Sequence, residues 1–173
     1  MSTKRLLAAG VLVGALIGVA QIVSFAQRGS SDSAVIGVWR VSEVTFTGPN
    51  ARKVTNPQPS VRIYTPRYYS IMDVTSDGPR PELPSQATDK QRAEALAEAF
   101  GSFTANAGTY EIKGNEIASK RIVAKNPALM RDGGTLATHT FRMEGKDTLW
   151  LTIKTNLDGP IANPSTEKLT RLE

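Results

Sequence analysis

The sequence predicts an all-β fold: an eight-stranded up-and-down antiparallel barrel with one inserted α-helix. Short runs rich in Val, Ile, Thr and aromatic residues recur along the chain, and each ends at turn-forming residues. Neighbouring runs have short links, which favours consecutive hairpins. Only one stretch has helical spacing of its apolar residues. An open sandwich is the main alternative, but a closed barrel leaves no unpaired strand edge and can hold one small ligand.

The amino terminus has the composition of a secretory signal peptide, which we place at residues 1–26. Lys4 and Arg5 precede an uncharged apolar run, 6–20, and small residues at alternating positions end at Ala26. We therefore expect cleavage there and export to the periplasm or beyond. An uncleaved anchor is the alternative, because apolar character resumes after the run and could reach the roughly 20 residues that span a bilayer. This leader would be the only membrane contact.

The remaining chain comprises a flexible lead-in, 27–33, and one domain, 34–173. Loss of Lys4 and Arg5 with the leader removes two of the 21 basic residues and none of the 16 acidic ones, which leaves a charge of +3. The basic residues are scattered, so we expect no nucleic-acid partner. The chain has no cysteine and one histidine. We therefore expect no disulfide, no metal site and no cofactor.

Turn chemistry separates the predicted strands. Gly48-Pro49-Asn50 ends the first, Pro66-Arg67 divides the second from the third, and Lys113-Gly114-Asn115 is a hairpin turn. Prolines exclude 51–60 from a central strand, because proline donates no ladder hydrogen bond. The predicted strands are 34–47, 61–65, 68–74, 109–113, 116–124, 135–144, 147–155 and 166–172.

The predicted helix spans Thr88 to Ala105. Thr88 and Gln91 have the spacing of a capping box. Apolar residues, among them Leu96 and Phe100, recur at helical spacing and form one stripe. We expect this stripe to pack on the barrel wall or across a barrel mouth, where the helix would be a lid.

One short motif resembles a known family. Gly37 and Trp39 form a Gly-x-Trp at the start of the first strand, and Arg171 is a basic residue in the last strand. This pattern resembles the bacterial lipocalin-like domain proteins of the lipocalin and calycin barrels. The resemblance implies that Trp39 plugs the closed end of the barrel with Arg171 packed across its ring.

Several side chains suit a small ligand in the lumen. Tyrosine combines an apolar ring with a hydrogen-bonding tip, and arginine offers a fork for a carboxylate. The alternative is that the tyrosines fill the core, with one of two adjacent tyrosines facing water, and that the lone histidine is structural. The candidate ligand-binding residues are Arg62, Tyr64, Tyr68, Tyr69, Tyr110 and His139.

Strand alternation places candidate residues relative to the plug. If Trp39 faces inward, Glu43 also faces the lumen, and Val44 and Phe46 face outward. We expect any chemistry at the end opposite Trp39, among Tyr64, Tyr69, Tyr110 and His139.

Three functions fit the predicted barrel. The first is an exported barrel that binds a small, mainly hydrophobic or amphipathic molecule. The second is an enzyme of the isomerase, cyclase or hydrolase type, and the third is a filled-core structural or interaction module. A cavity of about 300 Å³ or more supports binding. A hydrogen-bonded pair of His139 with Glu43 or a tyrosine would support catalysis.

Overall fold

The computed structural model describes residues 34–80, 82, 85–133 and 136–173. The predicted signal peptide, 1–26, and the lead-in, 27–33, lie outside the described residues. The inserted helix is α1 (Asp89–Gly101), and Gly48–Asn50 and Pro127–Gly133 form short 3-10 helices. The strands are β1 (Gly37–Phe46), β2 (Arg52–Thr55), β3 (Ser60–Tyr64), β4 (Tyr68–Val74), β5 (Phe103–Lys113), β6 (Glu116–Ala124), β7 (Leu136–Glu144), β8 (Thr148–Asn156), β9 (Gly159–Pro160) and β10 (Thr166–Arg171).

Eight of these strands close into one antiparallel barrel. The strand order is β10-β1-β3-β4-β5-β6-β7-β8, and β10 also pairs with β8, which closes the ring. The short strands β2 and β9 pair with β1 and β8 at the margins. The predicted eight-stranded barrel with one inserted helix is therefore confirmed.

The apolar core fills one end of the barrel. Trp39, Leu149 and Leu169 are completely shielded from solvent, as is Val35, which precedes β1. The indole Nε1 of Trp39 donates a hydrogen bond to the carbonyl of Val35 at 2.9 Å. Because this hydrogen bond satisfies the polar atom of the indole, the large ring can be buried without a desolvation penalty for an unpaired donor.

Strand β5 is longer than predicted, at the expense of the helix. The predicted helix end, including Ala105, and residues 106–108, which precede the predicted strand 109–113, all lie inside β5. β5 pairs with β4 over its whole first half, from Phe103 opposite Val74 to Thr109 opposite Tyr68. This continuous pairing outweighs the local turn preference of Asn-Ala-Gly.

The helix is capped as predicted but packs differently. Thr88 and Gln91 form the reciprocal hydrogen bonds of a capping box. The predicted packing of the apolar stripe is wrong, because Leu96 and Phe100 are 49% and 62% exposed. The ammonium of Lys125 donates to the carbonyl of Phe100 in the last turn of the helix, and to that of Phe103 at the start of β5 at 2.6 Å. The helix is therefore held by its carboxyl-terminal end rather than by a buried face.

A bulge in β1 reverses the predicted alternation beyond Val41. The register against β10 shifts between Val41 and Glu43. Val44 consequently faces the lumen, whereas Glu43 lies on the outer face and binds the Nζ of Lys53 in β2 at 2.8 Å. The predicted inward position of Glu43 is wrong, because a bulge inserts one residue and turns the following side chains to the opposite face. The tract 51–60, which its prolines exclude from a central strand, contributes the short marginal strand β2.

Candidate functional site

The closed end of the barrel is sealed by Trp39 and Arg171. The guanidinium carbon of Arg171 lies 4.0 Å from the centre of the Trp39 ring. Its nitrogens donate to the carbonyls of Ala34, Ile36 and Lys146, each at 2.7 Å. One side chain therefore ties the start of β1, the β7–β8 turn and the plug together.

Gly37 makes this arrangement possible. Its φ of 146° lies where residues with a side chain rarely occur. A Cβ at this position would also lie 2.5 Å from the carbonyl oxygen of Glu173 and would collide with Arg171. The glycine of the Gly-x-Trp motif thus leaves room for the arginine of the last strand.

The opposite end of the barrel opens into a cavity of about 370 Å³. The lining comes from the ends of β1 and β4, from the starts of β3 and β10, and from β2 with the loop that follows it. Its apolar wall consists of Val41, Val44, Phe46, Val54, Pro57 and Val74. Its polar lining includes Arg52, Asn56, Gln58, Arg62, Asp73, Asp77, Ser165 and Glu167.

A buried charge cluster contributes to the lining of this cavity. Arg62 is only 5% exposed. Its Nη2 donates to Asp73 Oδ2 at 3.1 Å and to Glu167 Oε1 at 2.8 Å. A buried guanidinium needs such partners, because an unpaired charge in a low-dielectric interior is very costly. The three side chains come from β3, β4 and β10, so the barrel has to close before the cluster can form.

Burial has the largest influence on the pKa values of the two carboxyls in the cluster. Burial raises the pKa of Asp73, although the neighbouring Arg62 opposes the shift. Burial also raises the pKa of Glu167, against Arg62 and with a further contribution from Asp73. For Arg62, burial favours the neutral form, but the two carboxylates outweigh it and raise the pKa. One guanidinium thus only partly compensates two buried carboxylates.

Two buried polar atoms of the cluster have no hydrogen-bond partner within the described chain: Arg62 Nε and Asp73 Oδ1. Natural proteins satisfy nearly all such atoms, and exceptions call for an explanation. The pair offers one donor and one acceptor beside a cavity. A small polar group in the cavity can therefore bind there.

The sequence matches the family model described as a lipocalin-like domain over residues 36–168. The chain belongs to this lipocalin-like family. The matched segment runs from the residue before Gly37 to Lys168 in β10 and thus covers the barrel except for the last three residues of β10. No curated protein matches the chain.

Several solved structures are similar to this lipocalin-like barrel. A lipocalin-like protein from Bacteroides uniformis shares 13% identity with a TM-score of 0.44, covering 80% of this chain and 99% of that one. A redesigned β-barrel shares 14% identity, with a TM-score of 0.41 and coverages of 82% and 95%. An uncharacterized protein from Bacteroides eggerthii shares 12%, with a TM-score of 0.41 and coverages of 79% and 98%.

Of the predicted ligand-binding residues, Arg62 lines the cavity of the lipocalin-like barrel. Tyr64 and Tyr69 are buried in the core. Tyr64 is the register partner of Gly37, so it lies at the end that Trp39 closes rather than at the opposite end. Tyr110 meets the Tyr64 ring edge-on, with ring centres 5.4 Å apart.

The hydroxyls of two of these tyrosines have partners in the fold. Tyr69 donates to Asn106 Oδ1 at 2.9 Å, and Tyr110 donates to the Thr65 carbonyl at 2.6 Å. Burial raises the pKa of Tyr64 and of Tyr69. Tyr68 is 50% exposed, as strand alternation requires beside a buried Tyr69.

His139 shares the inward face of β7 with the buried Ala137 and Phe141. Burial, together with the charges of Arg62 and Arg121, lowers the pKa of His139 to about 4. His139 is not among the residues that line the cavity at the open end of the barrel, which we call the mouth cavity. Glu43, which we considered as a partner for His139, is bound to Lys53 on the outer face.

Sequence reasoning missed Asp73 and Glu167, although the signal for both was present. Alternation along β4 puts Asp73 on the same face as the buried Tyr69, and alternation along β10 puts Glu167 with Leu169. An acidic residue on an inward strand face marks a buried charge that needs a partner, and Arg62 is inward by the same rule.

Two further observations concern the described residues as a whole. Within them, no helix is long and apolar enough to cross a bilayer. The same part of the chain contains no group of three or more histidine, aspartate or glutamate side chains that could hold a metal ion.

Proposed function

We propose that this lipocalin-like domain binds a small amphipathic molecule in its mouth cavity and does so outside the cytoplasm. The observation that carries the proposal is the cavity of about 370 Å³ beside the buried Arg62 cluster. Ligand sites typically measure roughly 300 to 1,000 Å³ and combine apolar walls with a few fixed polar groups.

The distribution of wall chemistry supports an amphipathic ligand. Valines 41, 44, 54 and 74 with Phe46 provide apolar surface. The cluster provides polar atoms that the fold itself holds in place, since Arg62 is fixed between two carboxylates. An apolar tail would lose contact with water along the wall, and a polar head would replace water at the cluster.

Export is the sequence-based part of the proposal. The support is the basic start of the chain, the uncharged apolar run that follows it and the small residues up to Ala26. A carrier placed outside the cytoplasm can meet amphipathic molecules at or beyond the cell surface. Edman sequencing or intact mass of the protein from its host tests the cleavage directly, and an intact Met1 would contradict it.

A cavity-filling substitution tests the binding function. Val44→Trp places an indole in the mouth cavity, whereas Val123→Trp, at a position 57% exposed on β6, adds the same ring outside it. We expect native mass spectrometry of protein from its own host to show a co-purifying small molecule with the wild type and with Val123→Trp, and little with Val44→Trp. The reason is that the indole occupies ligand volume.

The control for this experiment is that both tryptophan variants remain folded. Both variants must keep the circular dichroism spectrum and a cooperative unfolding transition. If the wild type carries no small molecule, or if Val44→Trp carries as much as Val123→Trp, the mouth cavity is not the binding site.

A further inference from the structure

We propose that the mouth cavity selects amphipathic amines, with the protonated nitrogen of the ligand bound to the carboxylate of Asp73. This inference rests on the proposed binding function and specifies the chemistry of its ligand. It follows from the charge balance of the cavity, from the unused polar atoms of the cluster and from the engagement of Arg62.

The charges that line the cavity are unequal. The basic side chains are Arg52 and Arg62, and the acidic ones are Asp73, Asp77 and Glu167. The sum is one negative charge, and the two carboxylates of the cluster are largely buried, at 18% and 25% side-chain exposure. An interior charge is screened poorly, so the surplus attracts a cation and repels an anion.

Asp73 has an oxygen available for that cation. Its Oδ2 accepts from Arg62, while its Oδ1 is buried and has no partner in the described chain. A hydrogen bond between a charged donor and a carboxylate is about twice as strong as a neutral one. An ammonium group in the cavity would supply the missing donor and also offset the surplus charge.

The engagement of Arg62 argues against carboxylate ligands. The sequence suggested that its guanidinium could hold a ligand carboxylate, but its Nη2 already binds both Asp73 and Glu167. A third carboxylate would meet two others at close range. Its Nε is buried and has no acceptor in the described chain, and a neutral oxygen near the ligand nitrogen can occupy it.

The aromatic ring at the rim does not compete for the ligand nitrogen. The guanidinium carbon of Arg52 lies 4.3 Å from the centre of the Phe46 ring, so a cation of the protein already covers that aromatic face. A ligand ammonium therefore gains nothing from this ring and binds at Asp73, while its apolar tail remains along Val44 and Val54.

Isothermal titration with three octyl compounds tests the selection. Octylamine, octan-1-ol and octanoate share one tail and differ in the head group. With the wild type at neutral pH we expect octylamine to bind about tenfold or more tighter than octan-1-ol, and octanoate to bind weakest. Asp73→Asn should remove most of the preference for the amine. Asp77→Asn, which removes the same charge from an exposed rim position, should change it less than about twofold.

A pH series with the wild type keeps the test valid if Asp73→Asn fails to fold. Lowering the pH protonates the cluster carboxyls, so octylamine affinity should fall while octan-1-ol affinity stays constant. Equal affinity for amine and alcohol, or tighter binding of octanoate, would overturn the amine selection and leave the binding function intact. Failure of all three compounds to bind would overturn both the amine selection and the proposed binding function.

Discussion

Replacement of Arg171 by methionine measures how much the Arg171 guanidinium contributes to stability at the closed end of the barrel. Methionine keeps much of the apolar stem but has no guanidinium. The substitution removes the donors to Ala34 and Ile36 and the stacking on Trp39, which is completely buried. Each of the two partly buried hydrogen bonds contributes about 1 kcal/mol, and a desolvated cation–π contact adds about 1 kcal/mol. We therefore expect a loss of about 3 kcal/mol in the free energy of unfolding.

A second arginine on tryptophan provides the matched control. The guanidinium carbon of Arg142 lies 4.6 Å from the Trp150 ring centre, but its side chain is 61% exposed. Because solvent weakens contacts of exposed charges, Arg142→Met should cost less than about 0.5 kcal/mol. Arg171→Lys keeps the charge without the fork and should fall between wild type and Arg171→Met.

Urea unfolding followed by circular dichroism gives the free energy of unfolding of each variant. Midpoints can be compared when the free energy depends on urea concentration with the same slope in all variants. Octylamine affinity should be unchanged in Arg171→Met, because the mouth cavity lies at the other end of the barrel. Equal losses for Arg171→Met and Arg142→Met would refute the role of Arg171 as a seal, as would full stability of Arg171→Lys.

Two further predictions concern stability. The pKa of His139 is lowered from 6.5 to about 4, so the unfolded chain binds a proton that the folded barrel does not. The stability that depends on a neutral His139 is complete above pH 6.5 and is lost as the pH falls toward 4. Over that interval the free energy of unfolding of the wild type, measured by urea unfolding, should therefore fall by up to about 3 kcal/mol more than that of His139→Leu. Parallel pH profiles of the free energy of unfolding for the wild type and His139→Leu would contradict this prediction. A Cβ at Gly108 would lie 2.9 Å from the Cα of Arg121 and would collide with the Lys120 carbonyl. Gly108→Ala should therefore cost about 3 kcal/mol in thermal unfolding, and Gly78→Ala, which meets open space, should stay within about 0.5 kcal/mol.

The strand pattern was largely predictable because it depends on local chemistry. Turn residues such as Gly114 and Pro66 stop one run and begin the next, and β-branched residues fill the runs between them. The capping box of Thr88 was predictable for the same reason, since all its hydrogen bonds lie within one helical turn. The end of the helix was not, because pairing of Phe103 with Val74 is a contact between distant segments.

The candidate site was only partly predictable. Arg62 was identified, but its partners Asp73 and Glu167 are 11 and 105 residues away along the chain. Alternation shows which face a side chain occupies, but not which residue of another strand lies beside it. The bulge after Val41 adds a second source of error, since it reverses the faces of every following position in β1.

The sequence by itself determined most of the barrel strands, the start of the helix, the barrel class and the Gly37 and Trp39 plug, because each depends on local preference or on a motif at fixed spacing. The tertiary structure alone decided which side chains lie at the open end. The antiparallel register puts Tyr64 beside Gly37 at the closed end, and it brings Arg62, Asp73 and Glu167 together beside the cavity. Register is fixed by burial over the whole barrel, and so the charge cluster at the open end forms only when all eight strands are in place.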